Sequence, residues 1–121
     1  MGKSVHNDVL DAALTEIATS TIMTVCSQQP TTRTEAVTTY ALADVTVSSG
    51  DFTIADGDTS GRKTTVAQQT GVTIDASGTG NHVALCDGSV LLYVTTCTSQ
   101  ALSTGNTMTF NAWDIEIADP T

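Results

Sequence analysis

Asp56-Gly57-Asp58-Thr59-Ser60-Gly61 is the stretch of this chain that most resembles a metal-binding motif. It sets oxygen ligands at alternate positions and a glycine at the sixth, which is the opening of a Ca²⁺-binding loop. The closing half is missing. The twelfth position, where a bidentate Glu completes such a site, is Ala67, and Arg62 and Lys63 place positive charge beside the ion. An Asp/Gly-rich turn between two strands accounts for the same residues. The expectation is a turn with no metal or cofactor, where any bound ion would be weak and structural.

Nucleophilic chemistry needs a base beside a Ser, Thr or Cys, and only His6 and His82 could supply it. His82 stands four residues before Cys86 on an alternating run, so the two share a face. That spacing separates them by roughly 13 Å along a strand, too far for a hydrogen bond. Gly78-Thr79-Gly80 lacks the following Gly, the Lys and the helix of a phosphate loop. Asp114 and Glu116 alternate with Trp113, Ile115 and Ile117, which puts both carboxylates on the solvent face of a strand and Trp113 in the core. A glycosidase would need such a pair, but no aromatic cluster accompanies this one to hold a sugar. Cys26, Cys86 and Cys97 cannot all pair within one chain and have no CxxC spacing. Buried free thiols on strands are the simplest expectation. A disulfide formed in an oxidising medium is the alternative. No catalytic, cofactor-binding or metal-ligating set emerges, and no enzymatic activity is expected.

The 121 residues fit one domain, 1–121, with room for a core. Thirteen acidic against four basic residues give a net charge of −9, and no basic residue follows Lys63. Phosphate neutralisation requires Lys and Arg, so nucleic acid is an unsuitable partner. No apolar run reaches membrane-spanning length. Asp8, Asp11 and Glu16 interrupt any secretory-signal pattern at the N-terminus. A soluble protein made in the cytosol is expected. Thr supplies about a fifth of the residues, and its branched Cβ suits strands.

One helix is expected, over 5–19, where Val9, Leu10, Ala13, Leu14, Ile17 and Ala18 make one apolar stripe. Asn7 is its expected cap. The stripe must cover the chain's own sheet or dock on a neighbouring subunit. Residues 21–117 read as a β-domain. Strands are expected at 21–27, 43–47, 51–55, 62–69, 72–74, 82–86, 89–97, 107–110 and 113–117. Residues 31–35 read as loop and 76–80 as a flexible connector. Asp87-Gly88 between two alternating runs predicts a two-residue hairpin turn, which would face Cys86 to Ser89 rather than to Cys97.

Three stretches carry a family resemblance: His82-Val83-Ala84-Leu85-Cys86-Asp87-Gly88, then Leu91-Leu92-Tyr93, then Leu102-Ser103-Thr104-Gly105-Asn106-Thr107-Met108-Thr109-Phe110. This pattern resembles tailed-bacteriophage virion proteins of the tail-fibre-like, minor structural or capsid-decoration kind. They carry a short N-terminal helix followed by a β-domain, and about half of this chain is covered. The resemblance implies a virion component and transfers no functional residue. The expected fold is mainly β, an antiparallel β-sandwich with one short N-terminal α-helix. The expected function is a non-enzymatic virion subunit, assembled in the host cytoplasm. Its expected partners are copies of itself and other capsid, neck or tail proteins. A carbohydrate- or cell-surface-binding module is the rival class, although Tyr40, Tyr93 and Trp113 are few and scattered.

Overall fold

In the computed structural model, which describes residues 2–121, the N-terminal stripe forms helix α1, Asn7–Ile17. It is shorter than 5–19 at both ends. The cap is His6 rather than Asn7: its extended backbone precedes the first turn, and its Nδ1 accepts from the Asp8 amide at 3.1 Å. A ring nitrogen thus does what the Asn oxygen was expected to do. Leu10 and Leu14 are buried, Ile17 and Ala18 pack at the core margin, and Val9 is 60% exposed. The helix therefore covers the chain's own sheet. It lies on β4 (Arg62–Val66), where Arg62 bonds Asp11 at 2.8 Å.

The other strands are β1 (Ile22–Cys26), β2 (Ala41–Thr46), β3 (Phe52–Asp56), β5 (Gln69–Thr73), β6 (Gly78–Cys86), β7 (Leu91–Leu102), β8 (Thr107–Phe110) and β9 (Trp113–Ile117). All pairings are antiparallel. They build a four-stranded sheet β2-β1-β6-β7, a three-stranded sheet β3-β4-β9 and a two-stranded sheet β5-β8. The mainly β fold with one N-terminal helix is as expected, with the strands opposite the four-stranded sheet divided between two smaller sheets.

Alternation decides which side chains meet. Met23, Val25, Val83 and Leu85 on one face of the large sheet join Phe52, Val66, Ile115, Val72, Phe110 and Leu14 in one core. On the opposite face, Ala84 and Cys86 pack with Ala36 beneath residues 27–40, which fold back over the sheet. The sheet is thus covered on both faces around β1. This explains why Thr24 and Cys26 are as buried as Met23 and Val25.

Four local expectations are corrected. Residues 31–35 open a π-helical turn, Glu35–Thr39, rather than a plain loop. The Glu35 carboxylate accepts the Thr31 amide and hydroxyl, each at 2.8 Å, and the Tyr40 amide reaches the Glu35 carbonyl at 2.9 Å. The expected strand 62–69 ends at Val66, and Gln69 begins β5 in another sheet. Residues 78–80, expected to be connector, are strand: Thr79 and Gly80 stand opposite Ala101 and Gln100. A Cβ on Gly80 would come within 2.7 Å of Val25 Cγ2, so the residue serves close packing rather than flexibility. The β6–β7 hairpin forms, but its connection is four residues, 87–90. Asp87 Oδ1 accepts the Ser89 amide at 2.7 Å and the Val90 amide at 2.6 Å, and Gly88 does not take positive φ. Cys86 consequently faces Leu91. An Asp side chain that makes its own turn displaces the primed geometry.

Candidate functional site

The 56–61 turn joins β3 to β4, and its carboxylates are bound by the chain's own cations. Arg62 holds Asp56 at 2.7 Å, and Lys63 holds Asp58 at 2.7 Å and Asp114 at 3.3 Å. Glu116 accepts the Asp58 amide, which ties the turn to β9. Gly57 donates to the Gly61 carbonyl at 3.0 Å, and Gly61 has φ +70 with the Ile117 carbonyl against its α-carbon. Asp114 and Glu116 are on the exposed face of β9 as expected, and both are fastened to neighbours. The Thr65 hydroxyl, followed by Lys63, holds the Asp114 carboxyl below its ordinary range.

The cysteines divide two to one. Cys26 and Cys86 are buried free thiols, as expected, whereas Cys97 is free and exposed on β7. Burial raises the Cys26 thiol, with Thr24 partly opposing it, and the Cys26 Sγ meets the Ala36 carbonyl at 3.4 Å. Burial likewise raises Cys86. His82 and Cys86 lie four residues apart on β6, and the residue that the register sets opposite His82 is Cys26. That pair is no activated nucleophile. The thiol stays protonated, and the imidazole Nδ1 bonds Asn81 Oδ1 at 2.6 Å. His6 is taken up in capping α1. Among the described residues no three His, Cys, Asp or Glu side chains gather as a metal cluster.

A concavity among the described residues touches only Cys97 of these groups. A cleft of about 380 Å³ lies between the outer half of β7 and the β8–β9 segment, floored by Val25, Val83, Leu102, Met108 and Phe110 and walled by Trp113. Trp113 was expected to anchor the core. It is only half-buried, with its ring 5.9 Å from Tyr93 and inclined at 31°, and its Nε1 has no hydrogen-bond partner. Ile115 is the residue of β9 that reaches the core. The reason is positional. β9 is the outer strand of its sheet, and its first residue packs at the core margin, where it also lines the cleft.

β7 forms the other wall and is the outermost strand of the four-stranded sheet. Residues 96–101 are exposed on both faces. His82 stands opposite Thr96 and Gly80 opposite Gln100, so Asn81 alone faces Cys97, Thr98 and Ser99 and the strand bulges there.

The electrostatics sharpen the contrast. All four basic side chains are engaged within the molecule: Arg62 and Lys63 as above, Lys3 on the Thr121 carbonyl at 2.7 Å, and Arg33 on the Asp87 carbonyl at 2.8 Å. The excess acid is left to face solvent, yet residues 88–113 contain no charged side chain at all. That uncharged run spans β7, β8 and the cleft wall. Sequence reasoning missed the site because it weighed these residues as strand pattern; the 26-residue gap in charge, countable in the sequence, was the signal. Against this geometry, comparison with protein-family models, with curated proteins and with solved structures finds no match.

Proposed function

We propose that this chain is a non-enzymatic structural subunit of a tailed-phage virion, present in many copies and either decorating the capsid or forming part of the neck, tail or a fibre base. The observation that carries the reading is the free edge of β7: twelve residues long and outermost in its sheet. A long, uncharged edge strand is a liability in an isolated protein, because its unpaired backbone groups template further pairing. In an assembly the same edge is buried against a neighbour. The resemblance of residues 82–110 to phage virion proteins points the same way. The internal use of every basic side chain supports it too, since nucleic acid needs free Lys and Arg to neutralise phosphate.

The test is quantitative mass spectrometry of purified particles from a producing host. Tens to hundreds of copies per particle support the proposal, and absence from the particle overturns it. The Tyr93–Trp113 pair beside the cleft favours a second reading, a carbohydrate-binding module, since aromatic faces hold sugars. Binding of the isolated chain on a glycan array, lost on Trp113→Ala, would establish that reading in its place.

A further inference from the structure

We propose that two copies of this chain pair through the free edges of β7, antiparallel about a twofold axis that passes beside Cys97. The inference rests on the multi-copy reading only for its biological setting; the contact itself follows from the strand.

Three observations converge on that edge. First, β7 has one paired side, toward β6, and one open side. At about 3.4 Å per residue its twelve residues extend roughly 40 Å, which is long for an edge strand. Native proteins protect such edges with Lys, Pro or inward-pointing charge, and residues 91–102 have none of these. The bulge at Cys97, Thr98 and Ser99 is the only blunting device. It takes these residues out of the β6 ladder.

Second, charge selects a second copy of the chain as the occupant. A molecule of net charge −9 repels its like. Two copies approach at least cost where fixed charge is farthest from the contact, because charges separated by more than about 8 Å are screened at physiological salt. The uncharged run 88–113 provides that approach. A basic partner would be drawn to the acidic remainder of the surface instead.

Third, the edge is self-complementary. In an antiparallel pair centred on Cys97, Leu92 of one copy falls in register with the partner's Leu102, whose side chain stays buried in its own core, and the exposed Thr96 meets the partner's Thr98. Thr–Thr pairs are favourable across strands, and a twofold contact of this kind is isologous and closes on itself. A pair of edge strands buries little surface, below the roughly 1,200 Å² of standard interfaces. The isolated dimer is therefore weak, and multiple contacts in a lattice strengthen it.

The experiment uses the full chain, reduced, in sedimentation velocity at low micromolar and at several hundred micromolar concentration, each in low and high salt. A monomer–dimer equilibrium that tightens with salt is expected. Cys97 supplies the positional readout, because Cys26 and Cys86 are buried. Its alkylation by a maleimide should slow several-fold at the higher concentration. Diamide, which takes two electrons and two protons from a pair of thiols, should yield a disulfide dimer that Cys97→Ser abolishes. Thr98→Lys alters an exposed residue and should remove the dimer while leaving the melting temperature unchanged. A monomer at every concentration and salt overturns the proposal, as does a dimer in which Cys97 is alkylated at the monomer rate. Neither result bears on the particle copy number, so the functional reading can fail or stand separately.

Discussion

At Gly61 a single hydrogen atom separates a folded turn from a collision. An added Cβ would lie 1.9 Å from the Ile117 carbonyl oxygen, at a φ that L-residues avoid. Gly61→Ala should cost about 2–4 kcal/mol, among the larger effects of a point change, and chemical denaturation will measure it. Asp44 presents the opposite case, a residue whose replacement should help. Although Asp44 is exposed overall, partial desolvation of its carboxyl, then the neighbouring Asp75 carboxylate, raises its pKa. A carboxyl raised on folding contributes stability below its unfolded pKa and loses it as pH rises through the folded value. Asp44→Asn should therefore raise the melting temperature at pH 7 and leave it unchanged near pH 3, where the wild-type group is already neutral. A gain that persisted in acid would show a different origin. Asp87 and Asp114 have the reverse sign. The Ser89 and Val90 amides hold Asp87 down, and the Thr65 hydroxyl and Lys63 hold Asp114 down. Their contribution is present above the unfolded carboxylate pKa and fades as pH falls through the folded one, so the wild-type protein should lose stability on acidification across that range.

Among the elements, β9 tests how far alternation can be trusted. The period-2 pattern of Trp113, Ile115 and Ile117 correctly separated the inner face from Asp114 and Glu116. It could not say which inner residue reaches the core, because depth depends on where the strand ends relative to the sheets opposite. Ile115 is 3% exposed and its truncation to Ala should cost about 2–5 kcal/mol. Trp113→Ala, at the cleft wall, should cost clearly less despite the larger side chain. Equal denaturation midpoints for the two variants would contradict this ranking. The helix was legible for the same reason as β9, through spacing, and its ends shifted because a His ring can cap where an Asn was available. The π-helical turn at 35–39 was not read as structure. Thr32-x-x-Glu35 resembles a capping box, and the Thr32 hydroxyl does accept the Glu35 amide at 3.1 Å. Without an apolar period behind it, that local signal stayed below notice. The β7 bulge has no local signal at all, since it is set by the register with β6.

For the whole molecule, the helix and the last strand are both sewn to β4. Arg62 pairs with Ile117 in the sheet and with Asp11 on α1. Contacts of such sequence separation slow folding toward the millisecond-to-second range of β-rich domains. Leu14 is fully buried in that junction. Leu14→Asp should therefore unfold the monomer rather than dissociate an assembly, visible as loss of the cooperative melt at any concentration. Millimolar Ca²⁺ should shift the melting temperature by less than about 8 °C, the equivalent of roughly 1–2 kcal/mol at this size, because Arg62 and Lys63 already occupy Asp56 and Asp58. A larger shift would mean that the ion displaces them. The fold class was legible in composition and period. The location of the candidate site was not, since it depends on which strands are left at the edges.

The double covering of β1 has a consequence for time rather than for place. Its backbone is paired on both sides, by β2 and β6, and shielded on both faces, by the core and by residues 27–40. Amide protons at Met23 through Val25 can then meet deuterium only when the entire molecule opens, so their exchange reports the global unfolding free energy. The open side of β7 lies at the other extreme, with water at its amides from the start. The same molecule thus carries a slow clock at its centre and a fast one at its rim. Only the fast clock should slow when copies of the chain come together.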